Sequence, residues 1–137
     1  MSVPVKPVLA IDPGREKCGV AVVDAGGKIL AHCIVVPEKM REAVSEQLEV
    51  HRAETIVLGD ATASRAVWEV LENAFPQMQI VSIAEKNSTL EARDIYWREN
   101  PPSGWRKIVP LSLQVPPVPI DDYAAVVLAL RYWNGRT

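Results

Sequence analysis

Residues 9–24 read "LAIDPGREKCGVAVVD". An apolar run closes on a carboxylate at Asp12, turns through Pro13-Gly14, crosses Arg15, Glu16 and Lys17, and enters a second apolar run at Cys18. The pattern predicts two buried strands, Val8 to Asp12 and Cys18 to Asp24, with a charge at the tip of the first. A buried carboxylate is costly unless something pairs with it. Asp12 therefore needs a partner that the local sequence does not supply.

Beyond "AGGK" at 25–28, a third apolar run extends from Lys28 to Val36, and the glycine pair makes the two runs a hairpin. A turn on Ala25-Gly26 would set Cys18 opposite Cys33, whereas a turn on Gly26-Gly27 would set Cys18 opposite Val35. Pro37 opens a charged amphipathic helix from about Glu38 to His51, with Met40, Ala43, Val44, Leu48 and His51 along one stripe. "TIVLG" at 55–59 and "QIVSI" at 79–83 read as buried strands, separated by "DATASR" and a helix through Phe75. Ser88 and Glu91 have capping-box spacing and open a helix to about Asn100. Residues 101–119 hold six of the eleven prolines and are expected to form a long irregular excursion. An apolar helix follows from Asp121 or Asp122.

Three consecutive strands, then two that alternate with helices, predict an α/β fold: a five-stranded mixed sheet flanked by helices, in one domain over residues 1–137. In open sheets of this kind, sites gather beyond the carboxyl ends of the strands. The acids fall there: Asp12 after the first strand, Asp60 after the fourth, Glu85 after the fifth, and Asp121 with Asp122 at the start of the last helix. Singly, each has an ordinary reading as a turn residue or helix cap. Jointly they are expected to converge, with Asp12 and Glu85 ending neighbouring strands. Crowded carboxylates raise one another's pKa unless cations hold them, and hard ions such as Mg²⁺ or Mn²⁺ favour oxygen ligands.

Composition bounds the partners. The 137 residues are 48% hydrophobic and 23% charged, ordinary for a globular protein with a real core. Two cysteines make no disulfide framework, nothing before Val8 reads as a signal peptide, and no apolar stretch is long enough to span a bilayer, so a cytoplasmic protein without a membrane partner is expected. A net charge of -2 excludes a protein that coats nucleic acid by bulk phosphate neutralisation. Any nucleic-acid contact must use local cations. Arg15, Lys17, Arg65, Lys86, Arg106 and Lys107 lie in or beside the loops at the acidic edge, and Trp105 adds an aromatic suited to stacking on an unpaired base.

These residues carry a resemblance. "LAIDPGREKCGVAVVD" resembles the first strand and hairpin of the YqgF family, also called RuvX, a ribonuclease H-like group related to the junction resolvase RuvC. "SIAEKNSTLEA" at 82–92 is similar to that family's "DERLSTVEA", and "IDDYAAVVLALRYW" at 120–133 resembles its "VDxxAAxxIL" ending. The resemblance covers nearly the whole chain and implies a ribonuclease H-like fold with Asp12, Glu85 and Asp121 as catalytic acids. Ala84 and Lys86 depart from the family's Asp and Arg, "GDATASR" at 59–65 replaces its "GLP", and residues 100–119 replace a shorter basic loop.

What the resemblance implies is hydrolysis of phosphodiesters with two Mg²⁺ or Mn²⁺ ions, by endo- or exonuclease action on precursor 16S ribosomal RNA or on branched or single-stranded DNA. Asp12 would bridge the ions, Glu85 and Asp121 would each hold one side, and Asp60 or Asp122 would complete the shell. Junction resolution needs two active sites and hence a homodimer, whereas RNA processing can use a monomer. The rival reading is a catalytically inactive module that keeps the fold and binds RNA or a protein partner. "DPGREKCG" also resembles the first phosphate loop of actin-like and sugar-kinase ATPases, which close two such domains around a nucleotide; this chain supplies one.

Overall fold

The computed structural model describes residues 5–135. Its elements run β1 (Val8–Asp12), β2 (Cys18–Val23), β3 (Ile29–Val35), α1 (Pro37–His51), β4 (Thr55–Gly59), α2 (Ser64–Ala74), β5 (Gln79–Ile83), α3 (Ser88–Glu99) and α4 (Asp121–Trp133). The sheet order is β3-β2-β1-β4-β5, with β1 antiparallel to β2 and parallel to β4, and β4 parallel to β5. The three parallel strands end on one edge, where Asp12, Gly59 and the segment leading to Glu85 lie. The sequence reading made β1 and β5 neighbours; β4 stands between them, because the central β1 is already flanked by β2 on its other side.

Alternation along the strands divides the core into two layers. Leu9, Ile11, Val20, Val22, Ile56 and Leu58 face Met40 and Val44 of α1 and Leu71 of α2. Val8, Ala10, Ala21, Val23 and Val57 face α3 and α4. Because β2 is buried on both faces, it reads as a continuous apolar run instead of an alternating one. The residues beneath α4 are small, Ala10 and Ala21 meeting Ala124, Ala125 and Ala129, so this helix lies close to the sheet.

The closest approach is at Gly19. A Cβ there would stand 1.8 Å from the Asp121 carbonyl oxygen and 2.9 Å from the Asp122 backbone nitrogen. Gly19 pairs with Asp12 across the β1–β2 ladder, so the same backbone vacancy that admits the first turn of α4 puts that turn beside Asp12.

Three local readings are decided by the structure. Cys18 pairs with Val35 and Cys33 with Val20, the pairing a Gly26-Gly27 turn would give, but it is reached through a register shift at Val22/Val23 and a turn over Ala25, Gly26 and Gly27, and both thiols are free. Asp24 organises this turn through Oδ1, which accepts the Gly26 and Lys28 N–H groups at 3.0 and 2.9 Å, with Gly27 at φ +86°. The Ser88–Glu91 capping box does not form: Asn87, at φ +64°, precedes α3 without a side-chain cap, and the Glu91 carboxylate instead accepts from Arg131. The proline-rich excursion carries two short 3₁₀ turns, Gly104–Ile108 and Leu111–Leu113, tied down by the Gln114 amide, which donates to the Arg106 and Val109 carbonyls at 2.9 Å each.

Gly19→Ala is expected to cost about 1–3 kcal/mol or more, since the added methyl meets helix backbone that cannot rotate away. Gly26→Ala, whose nearest neighbour would be the Asp24 carboxylate at 3.4 Å, is expected to be near neutral. Urea denaturation of the two variants checks the contrast.

Candidate active site

Asp12, Glu85 and Asp121 come together at the carboxyl edge of the sheet. Asp12 continues the alternation of Val8 and Ala10, so its side chain lies on the α3/α4 face. Glu85 follows β5 and must reach Asp12 across the end of β4. It does so over Gly59, where a Cβ would stand 2.5 Å from Glu85 Oε1 and 2.7 Å from its Cγ. Any larger residue at 59 would occupy the space that the Glu85 side chain fills.

The resulting pair is strongly perturbed. Burial, then a hydrogen bond with Glu85, then the negative charges of Glu85 and Asp121, push the Asp12 carboxyl from an ordinary 3.8 up to about 9. Near neutral pH the Asp12–Glu85 pair therefore retains one proton between them, which holds the two carboxyl groups together.

The remaining acids have other engagements. Asp60 is exposed, and its Oδ1 accepts the Glu85 N–H at 3.0 Å while its own N–H donates to the Ile83 carbonyl at 3.1 Å. It braces the Glu85 segment from outside. Asp122 is turned toward β3: Oδ2 accepts from His32 Nδ1 at 2.7 Å and Oδ1 from the Tyr123 N–H at 3.0 Å, with the His32 ring 5.0 Å from that of Tyr123. Among the described residues, no three Asp, Glu, His or Cys side chains are arranged to hold a metal ion. The donor chemistry of the Asp12–Glu85 pair, hard oxygens on a half-buried edge, nonetheless fits a divalent cation in place of the shared proton.

The cations flank this edge unevenly. Arg15 and Lys17 are exposed in the loop directly after Asp12, a loop so tight that a Cβ on Gly14 would stand 2.3 Å from the Lys17 carbonyl. Lys86 is exposed beside Glu85, and Arg65 is exposed in the first turn of α2. Trp105 is 70% exposed, with the Arg106 guanidinium 5.6 Å from its ring centroid, and Lys107 is exposed next to it. That segment is anchored to α3 by Arg93, which donates to the Gln114 carbonyl at 3.2 Å. Trp97 is buried in the core, and Trp133 donates its indole N–H to the Val23 carbonyl at 3.1 Å.

Sequence reasoning passed over Gly19 and Gly59. Each is a glycine inside or ending an apolar strand, a signal of close backbone or side-chain approach.

The sheet order and helix placement define a ribonuclease H-like fold, and Thermus thermophilus RuvC shares it with a TM-score of 0.58 at 21% identity over 95% of both chains. The chain belongs to the Tex protein YqgF-like domain family, whose model matches residues 6–100 and so includes Asp12, Asp60 and Glu85. The uncharacterized protein YdcI of Bacillus subtilis is 32% identical over 53% of this chain, which spans 11% of that relative's length. A ROK family glucokinase from Streptomyces griseus superposes less closely, with a TM-score of 0.45 at 20% identity over 72% of this chain and 38% of the other.

The perturbed carboxyl makes stability depend on pH in a defined sense. Between about 3.8 and 9 the native Asp12 keeps a proton that the unfolded chain has released, so stability falls as pH rises through this window. Asp12→Asn keeps the neutral shape without the proton, and is expected to flatten the slope and raise the metal-free melting temperature at pH 7.5 by about 4 °C or more. Thermal melts at pH 5, 7 and 9 check it.

Gly59→Ala is expected to fold but to force Glu85 aside, lowering the Asp12 pKa. Carboxyl ¹³C NMR titration of Asp12 in this variant reads the change directly.

Proposed function

We propose that the chain is a metal-dependent nuclease domain that hydrolyses nucleic-acid phosphodiester bonds, with Asp12, Glu85 and Asp121 as its acids. The observation that carries this reading is the convergence of Asp12 and Glu85 over Gly59, with the charge of Asp121 added, at the carboxyl edge of a RuvC-like sheet. A carboxyl group held protonated to about 9 is a poor structural device. Carboxyl groups crowded this way support an acid site whose charge a cation would neutralise.

Asp12, Glu85 and Asp121 would hold two Mg²⁺ or Mn²⁺ ions; Asp60 or Asp122 would need to leave its present partner to join. When bound, such ions supply charge neutralisation and an ionised water for attack on phosphorus. The chain's own part begins with Asp12, which must surrender its proton for the site to load, making loading easier as pH rises. Glu85, fixed by the Asp60 carboxylate at its N–H, keeps its carboxylate on the reacting edge. Arg15 and Lys17 hold the phosphates next to the scissile bond, with Lys86 and Arg65 on the β5 and α2 side. Trp105 stacks on an unpaired base while Arg106 and Lys107 follow the backbone.

The substrate is precursor ribosomal RNA or branched or single-stranded DNA, cut internally or from an end. A junction substrate calls for a homodimer, an RNA substrate for a monomer. No helix among the described residues is long and apolar enough to cross a membrane, and the free Cys18 and Cys33 accord with a reducing cytoplasm.

Incubation with Mn²⁺ or Mg²⁺ on labelled single-stranded RNA, single-stranded DNA and a four-way junction tests the proposal. Metal-dependent cleavage is expected, reduced about 100-fold or more in Asp12→Asn, as for loss of a group that stabilises the reacting charges. Saturating Mn²⁺ is also expected to raise the melting temperature of the wild-type protein and not of the variant. Folded protein that cuts none of the three and does not respond to Mn²⁺ would assign the chain to the non-catalytic binding class.

A further inference from the structure

We propose that Arg131, near the far end of α4, is a positioning residue that aims Glu85 at Asp12. Arg131 is only 6% exposed, and its guanidinium spans the segment that carries Glu85. Nη1 donates to the Ala84 carbonyl at 2.5 Å and Nη2 to the Lys86 carbonyl at 2.8 Å, the residues on either side of Glu85. Nη2 also pairs with the Glu91 carboxylate. Glu85 itself donates its N–H to Asp60 Oδ1 at 3.0 Å and accepts the Ser88 N–H on its carbonyl at 2.8 Å. The main chain from the Ala84 carbonyl to the Lys86 carbonyl is thus held at four points, two of them by one side chain.

Stability alone is a weak reason for this arrangement. A buried cation is costly to desolvate, and an apolar residue of similar volume often packs as well or better. The cost here is increased because Arg131 Nε is buried without a hydrogen-bond partner among the described residues. What an apolar residue could not do is grip two carbonyls at a fixed separation. The planar fork of arginine suits that task, and the single ammonium of lysine does not.

The placement has a mechanical consequence. Asp121 opens α4 and Arg131 follows ten residues later, so the helix joins them as a rod of about 15 Å. One end presents Asp121 beside Asp12, and the other fixes the strand exit from which Glu85 extends. A single rigid element therefore sets two of the three acids relative to β1. The catalytic consequence rests on the acid site proposed above; the positioning itself does not.

Arg131→Met and Arg131→Lys test the inference, the second retaining a cation in case the first does not fold. In metal-free protein, amide hydrogen exchange at Glu85 and Ser88 is expected to accelerate at least tenfold while the amides of β4 keep wild-type protection. Mn²⁺ affinity, by calorimetric titration, is expected to fall about tenfold, with no further loss when Arg131→Lys is added to Glu85→Gln. A folded variant with wild-type protection at Glu85 would overturn the proposal, as would acceleration spread evenly over the sheet, the mark of a merely structural residue. Absence of Mn²⁺ binding in the wild-type protein would sink the metal-site reading and leave the exchange comparison to decide the role of Arg131.

Discussion

The first turn of α4 rests on bare backbone at Gly19, with the Asp121 carbonyl where a side chain would otherwise be. Most of what is distinctive about the molecule depends on that contact. It requires a glycine on β2 opposite Asp12, small residues at Ala10 and Ala21 beneath the helix, and alanines on the helix face that meets them. A helix seated this low puts Asp121 within electrostatic reach of Asp12 and brings Arg131 down to the loop after β5. Dense packing makes the arrangement stiff, because interiors at this density transmit displacement instead of absorbing it. The core on this side of the sheet is thus also the frame of the acid site.

The acids oppose the stability that the frame provides. Burial and the neighbouring charges of Glu85 and Asp121 are met at this partly buried edge by a proton retained on the Asp12–Glu85 pair. Strain of this sort persists only where surrounding structure over-determines it. Here the over-determination is visible: Asp60 and Arg131 fix the backbone around Glu85, Gly59 leaves only the space that the Glu85 side chain fills, and the β1–β2 ladder fixes Asp12. Asp122 and Glu91 are drawn into holding the frame, through His32 and Arg131, although each could pass as a site residue or a helix cap on local pattern.

Much of this was legible in the chain itself. The ranges of β4 and β5 follow from apolar runs bounded by turn residues, and α1 follows from Pro37 and a stripe through Met40 and Val44. The gathering of Asp12, Asp60, Glu85 and Asp121 with Asp122 at one edge was accessible because each stands at a strand exit or helix start, whereas only the family resemblance singled out Asp12, Glu85 and Asp121 among them. The strand order was not, since parallel strands joined by helices give no local mark of their neighbours. Nor was the capping box safe from override: Ser88 and Glu91 have the required spacing, but a buried guanidinium is a stronger partner for Glu91 than a backbone N–H.

The sequence alone determined the elements, the two-sided burial of β2, and which carboxylates reach the strand ends, because hydrophobic period and turn chemistry act over a few residues. Only the tertiary structure decided that Glu85 crosses β4 at Gly59, that Asp122 turns away to His32, and that Arg131 holds the residues flanking Glu85. Those outcomes join positions 26 residues apart at Gly59 and Glu85, 90 at His32 and Asp122, and 47 and 45 at Arg131 with Ala84 and Lys86, and they are fixed by steric fit and by the cost of leaving buried polar groups unpaired. Neither constraint exists until the sheet and α4 have closed on each other.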